Sequence, residues 1–322
     1  MTPLTGLILH LQRLSTEDGP GIRTTIFFKG CPLRCAWCHN PESLSSQPQI
    51  QWFAVRCIGC NTCLSVCPDH YLTRTDSGLS INRIRCDGCG KCAEACPAGA
   101  IELLGKTISV EELVAELLKD RTYFEKSGGG VTLSGGEPTL QADFAEALLC
   151  GLKENDISTA LDTCGLCSSA TLDRLLPFTD LVLYDLKLYD ADLHRQFTGS
   201  ANPQILANLL HLLDVQHSQT WPFKLWIRTP LIPGATATTD NLTALGFYLS
   251  DELTGGVERW ELCAFNNLCR DQYSRLGLDW AYGLTTLMTA DELAGCEQIA
   301  KTASSHPEIV RATGSTRQSA SQ

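Results

Sequence analysis

Arg23-Thr24-Thr25-Ile26-Phe27-Phe28-Lys29-Gly30-Cys31-Pro32-Leu33-Arg34-Cys35-Ala36-Trp37-Cys38 joins a strand to a metal-binding loop. Arg23–Phe28, with its β-branched and aromatic side chains, reads as the strand, and Lys29-Gly30 ends it. The three cysteines that follow stand at C-x3-C-x2-C spacing. Three thiolates can hold a cubane iron–sulfur cluster and leave one iron without a protein ligand, whereas a cluster used only for electron transfer normally takes four. An open position of that kind separates catalytic from structural metal sites. A zinc site completed by His39 is the competing reading, and three cysteines at this spacing after a strand disfavour it.

Downstream of Ile108 apolar runs alternate with amphipathic stretches. The strand candidates are Val131–Leu133, Thr159–Leu161, Leu181–Leu186, Phe223–Arg228 and Arg259–Phe265. Helical patterns at Leu140–Lys153, Ala170–Leu176, Pro203–Leu213 and Asp240–Leu249 lie among them. Such alternation predicts βαβ units and an α/β fold with a parallel sheet, six units in all with the strand before Cys31. The sheet is either open and doubly wound or an incomplete barrel. Both gather ligands at the carboxyl ends of the strands.

The 322 residues, 43% hydrophobic and 19% charged, suffice for a full-sized core. A formal net charge of −11 argues against a nucleic-acid partner held by charge. No apolar run approaches the ~18 residues of a membrane-spanning helix. The opening segment lacks the basic region and cleavage site of a secretory signal. Seventeen cysteines in such a chain point to metal ligands in a reducing compartment, the cytoplasm, rather than to disulfides. Eleven of them fall between Cys31 and Cys96.

Eight of these form two copies of one pattern, 29 positions apart: Cys57-x2-Cys60-x2-Cys63-x3-Cys67-Pro68 and Cys86-x2-Cys89-x2-Cys92-x3-Cys96-Pro97. This is the bacterial ferredoxin run, in which the fourth cysteine serves the other cluster. One cluster is therefore assigned to Cys57, Cys60, Cys63 and Cys96, and the other to Cys86, Cys89, Cys92 and Cys67. Zinc is the weaker alternative. The six remaining cysteines share no such spacing and read as small core residues. The chain divides into 1–48, the start of the main fold with the cluster loop; 49–105, a ferredoxin-like insert; 106–313, the remainder of the main fold; and 314–322, a polar tail expected to fray.

Three later strands end in polar motifs. Ser134-Gly135-Gly136-Glu137-Pro138 is a glycine turn that lets backbone approach a ligand, with Glu137 able to accept from an ammonium. Asp162-Thr163-Cys164-Gly165 and Asp185-Leu186-Lys187 close the next two. Charges there are costly inside a barrel unless they face a polar ligand; a solvated strand end is the alternative. Arg228 would add a second cation.

The cysteine spacing resembles that of the radical S-adenosylmethionine superfamily. Asp18-Gly19-Pro20-Gly21-Ile22-Arg23, Asn40-Pro41-Glu42, Gly128–Pro138, Asp185–Lys187 and Ile232-Pro233-Gly234 narrow the resemblance to the glycyl radical enzyme activating enzymes, relatives of the pyruvate formate-lyase activase. It runs from about Ile8 to Phe265. The double ferredoxin insert is similar to that of the subgroup activating decarboxylases, dehydratases and lyases. The resemblance implies a partial (β/α)6 barrel carrying an inserted two-cluster ferredoxin-like domain. It implies three [4Fe-4S] clusters and S-adenosyl-L-methionine as cofactors. It also implies reductive cleavage to a 5′-deoxyadenosyl radical, and hydrogen abstraction from a backbone glycine of a partner glycyl radical enzyme. Flavodoxin or ferredoxin is the implied electron donor.

On this resemblance Cys31, Cys35 and Cys38 carry catalysis. The cofactor-binding set is Trp37 beside the adenine, Cys38, His39, Gly135, Gly136 and Glu137 for the amino group, Asp162, Asp185, Leu186, Lys187 for the methionyl carboxylate, Arg228 and Asn266. Two positions depart from the family: Asn266 stands where a His is usual, and Cys164 where a Ser is usual. The alternative within enzymes is a radical S-adenosylmethionine enzyme acting on a small molecule or a peptide. A pure electron carrier is disfavoured by the long α/β stretch beyond the clusters.

Overall fold

A computed structural model describes residues 3–252 and 256–317. In chain order its strands are β1 Thr5–Ser15, β2 Arg23–Phe28, β3 Gln49–Trp52, β4 Leu72–Thr75, β5 Gly78–Ile81, β6 Ile101–Leu104 and β7 Lys106–Ser109. They continue as β8 Gly130–Gly135, β9 Ser158–Thr163, β10 Leu181–Asp185, β11 Lys224–Leu231, β12 Arg259–Ala264 and β13 Val310–Thr313. Nine form one sheet in the order β13-β12-β11-β10-β9-β8-β2-β1-β7. Every pairing from β2 to β13 is parallel, and β1 runs antiparallel to both β2 and β7.

The six strands read from the sequence are β2 and β8 to β12, and they are consecutive neighbours. The sheet also holds three strands the sequence reading lacks: β1 and β7 at one edge and β13 at the other. Strand β10 is buried through Leu181-Val182-Leu183-Tyr184, as a parallel strand covered on both faces should be. The helix Ala142–Lys153 returns the chain from β8 to β9 and buries Phe144, Leu148, Leu149 and Leu152, one face at helical spacing. Each leucine so buried contributes roughly 1.5–3 kcal/mol.

Between β2 and β7 the chain leaves the sheet. Strands β3 and β6 pair antiparallel, Gln49 opposite Leu104 and Trp52 opposite Ile101, and so bring the two ends of the excursion together. Within it lie the β4–β5 hairpin and the short helices Thr62–Val66 and Lys91–Glu94. Its small core is Ile50, Leu72, Cys92 and Ile101. Among the described residues no helix is long and apolar enough to cross a membrane. In the stretch expected to fray, Arg317 donates its backbone N–H to Met288 O at 2.9 Å, so order extends that far. Residues 318–322 lie outside the described ones.

Candidate active site

The cluster loop leaves β2 at Phe28 and is fastened on three sides. Gly30 N–H donates to Ser43 O at 2.7 Å, Arg34 N–H to Thr198 O at 2.7 Å and Ala36 N–H to Phe197 O at 2.8 Å. The Tyr273 hydroxyl donates to Cys38 O at 2.9 Å. Burial pushes the Cys31 thiol up to about 12, with Glu137 adding to the shift, and also raises Cys35 and Cys38. Bare thiolates are therefore unfavourable here. A bound metal centre supplies the positive charge that keeps such ligands deprotonated, so the donor set fits an iron–sulfur cluster.

His39 donates its Nε2–H to the Asn266 carbonyl at 2.9 Å. Among the described residues no three His, Cys, Asp or Glu side chains converge as a single ion requires. A cubane carries its cysteines on separate corner irons and makes no such demand.

Strand β8 delivers its glycine turn directly onto this loop. Gly136 N–H donates to Phe28 O at 2.9 Å and Glu137 N–H to Gly30 O at 2.7 Å. A Cβ on Gly136 would lie 2.2 Å from Gly30 O, and one on Gly135 2.6 Å from Phe27 Cα, at a φ of +96°. Only glycine permits that approach.

One open cavity lies at the carboxyl ends of the parallel strands. Of the residues singled out from the sequence it is lined by Cys31, Cys35, Trp37, Cys38, His39, Gly135, Gly136, Asp162, Asp185, Lys187 and Arg228. Trp37 is held between Phe197 and Tyr282, with ring centroids 5.9 and 6.4 Å away.

Three expected contributors lie elsewhere. Leu186 is buried, and Asn266 turns its side-chain oxygen to Leu268 N–H at 3.2 Å. Glu137 is fully buried beneath the turn. Its carboxylate accepts Thr139 Oγ1, Thr163 Oγ1 and Cys164 N–H, each at 2.8 Å, and Thr139 N–H at 3.2 Å. Through these bonds it ties the β8 turn to the end of β9. Backbone geometry places it, which the motif alone does not encode.

The cavity's charges interlock. Arg228 from β11 lies 3.7 Å from Asp162 and 3.8 Å from Asp18, and its Nε is 3.3 Å from Glu261. Lys187 pairs with Asp185. Burial alone would lower the Lys187 ammonium, but Asp185 beside it raises it and keeps it charged. Burial, with Asp185 and Asp18 close, pushes Asp162 up to about 7 against the pull of Arg228 and the Ser134 hydroxyl. Asp18, Asp162, Asp185 and Glu261 thus face two cations. That excess of carboxylate suits a ligand with a sulfonium and an ammonium, and Lys187 and Arg228 suit its carboxylate.

Sequence reasoning missed Gln12, Ser15 and Phe27 on the cavity wall, all on β1 or beside it. It also missed Tyr273, which stacks on Trp280 at 5.1 Å while holding Cys38.

In the insert two smaller cavities sort the remaining cysteines. Cys57, Cys60, Cys63 and Cys96 line one. Cys67, Cys86, Cys89 and Cys92 line another. Each holds three cysteines of one run and the last cysteine of the other.

Residues 25–241 match the model of the Radical SAM superfamily. The chain is 37% identical over 280 residues to the (2S)-3-sulfopropanediol dehydratase activating enzyme of Klebsiella oxytoca, covering 85% of this chain and 86% of that protein. It is 45% identical over 237 residues to the trans-4-hydroxy-L-proline dehydratase activating enzyme of Clostridioides difficile, covering 73% and 76%. Its structure is similar to that of Streptococcus suis SuiB bound to precursor peptide SuiA, with a TM-score of 0.52 at 12% identity over 88% of this chain and 46% of that one, a likeness of fold alone. The chain belongs to the radical SAM superfamily and, within it, to the enzymes that activate glycyl radical enzymes.

Proposed function

We propose that this protein installs a radical on a backbone glycine of a partner glycyl radical enzyme, using a cluster on Cys31, Cys35 and Cys38. The observation that carries the proposal is the meeting of the cluster-loop cysteines with Gly135, Gly136, Asp162, Asp185, Lys187 and Arg228 in one cavity at the strand ends. The cluster, with S-adenosylmethionine on its open iron, supplies the electron and the hydrogen-abstracting species. The protein's own part is binding and orientation. Lys187 and Arg228 receive the methionyl carboxylate, the Gly135-Gly136 backbone and Asp162 receive the amino group, and Trp37 flanks the adenine. Asp185 holds Lys187 in place.

Two further four-iron clusters occupy the insert, one on Cys57, Cys60, Cys63 and Cys96 and one on Cys67, Cys86, Cys89 and Cys92. The grouping of these cysteines in two cavities supports that assignment. The strand ends of β2 and β8 to β12 converge on a common cavity, which supports a partial (β/α)6 barrel. The protein works in the cytoplasm with flavodoxin or ferredoxin as donor, in keeping with its many unpaired cysteines.

Anaerobic reconstitution tests the cluster assignment. The wild type should bind about twelve irons per chain, and Cys35→Ala should lose cleavage of S-adenosylmethionine while keeping about eight. About four irons in the wild type, or full cleavage by the variant, would overturn it.

A further inference from the structure

The two insert cavities differ in what surrounds their sulfurs. Around the first set, Arg74 Nη1 donates to Cys57 Sγ at 3.6 Å, the Thr62 hydroxyl to Cys60 Sγ at 3.4 Å and Ala100 N–H to Cys96 Sγ at 3.2 Å. Around the second set, among the described residues, the donors to sulfur are backbone N–H groups, among them Tyr71 to Cys67 Sγ at 3.3 Å and Ala93 to Cys92 Sγ. Charge follows the same direction. Arg74 is the charged side chain on the wall of the first cavity, whereas Asp69 and Asp87 outnumber Lys91 on the wall of the second.

Reduction adds one negative charge to a cluster. Donors to the sulfurs and nearby cations favour the reduced form, and nearby carboxylates oppose it. Both differences therefore act in one sense.

We infer that the two auxiliary clusters have unequal reduction potentials, that the one on Cys57, Cys60, Cys63 and Cys96 is the easier to reduce, and that Arg74 sets much of the gap. The inference rests on the three-cluster reading above. In the step it describes, a low-potential one-electron donor protein loses one electron and this cluster gains it. The cluster on Cys67, Cys86, Cys89 and Cys92 stays oxidised until the poise falls further. Arg74 is here a tuning residue that acts through Cys57, not a group that touches substrate.

The test is a redox titration of the anaerobically reconstituted full chain, followed by electron paramagnetic resonance. The probes are dithionite and mediators, and iron analysis precedes each titration. Wild type should show two separable auxiliary steps. Arg74→Gln should move only the more positive one downward, by a few-fold to about tenfold in its reduction equilibrium, the upper figure being about 59 mV for one electron. Asp87→Asn keeps an oxygen for the Cys89 N–H, which the native Oδ1 accepts at 3.0 Å, and should raise only the more negative step. A single shared auxiliary midpoint in wild type overturns the inference, as does an Arg74→Gln titration with both steps unmoved or moved together. Wild type holding about four irons rather than about twelve would instead remove the three-cluster reading itself.

Discussion

The Glu137 carboxylate accepts the backbone N–H of Cys164 at 2.8 Å, so the turn that presses on the cluster loop is bolted to the end of the neighbouring strand. The same carboxylate takes Thr139 and Thr163, and no solvent reaches it. Replacing Glu137 with Gln sets an amide nitrogen against a donor. A buried donor left without its acceptor costs about 1–3 kcal/mol, and Glu137→Gln should destabilise the chain by that amount in urea unfolding of the metal-free protein. Unchanged unfolding together with weakened S-adenosylmethionine binding would instead mean that Glu137 is a ligand contact.

Lys187 tests the opposite case, a charge that does face the cavity. Its side chain is 9% exposed and paired with Asp185. A charge-assisted bond to the methionyl carboxylate is worth ~1.5–3 kcal/mol, so Lys187→Ala should weaken binding by roughly one to two decades at unchanged iron content. Isothermal titration at equal cluster loading measures this. An unchanged dissociation constant would assign the carboxylate to Arg228 alone.

Asp162 carries a pH signature. Its carboxyl is held up at about 7 in the fold, against 3.8 in a free side chain. Between those values the folded chain keeps a proton that the unfolded chain has released, so this group's contribution to stability falls as pH rises through that window and is level outside it. Asp162→Asn should flatten that decline in the metal-free protein between pH 4 and 7. A decline as steep as wild type would show that other groups cause it.

Much of this was legible from sequence, for identifiable reasons. Cysteine spacing is a covalent statement, and the two insert sets it groups line separate cavities. Strands β8 to β12 carried apolar runs broken by amphipathic helices, which periodicity detects. Strand β1 did not show, because Leu7-Ile8-Leu9-His10-Leu11 has no clean alternation. Four-residue β13 was too short to register. A Gly-Gly-Glu turn does not say where its carboxylate lies, and here it is buried under the backbone. Tyr273 and Trp280 sit in a polar segment without a motif, and only the fold brings them against Cys38 and His39.

The central claim is that this chain transfers its radical to a glycine of another protein. Reconstituted protein, S-adenosylmethionine and a photoreductant should be incubated anaerobically with each of a panel of purified glycyl radical enzymes, and electron paramagnetic resonance spectra recorded. The account predicts a glycyl doublet on at least one partner, with 5′-deoxyadenosine formed alongside it and neither product with Cys35→Ala. Steady formation of 5′-deoxyadenosine with a small molecule or peptide consumed, and no doublet on any partner, would contradict it.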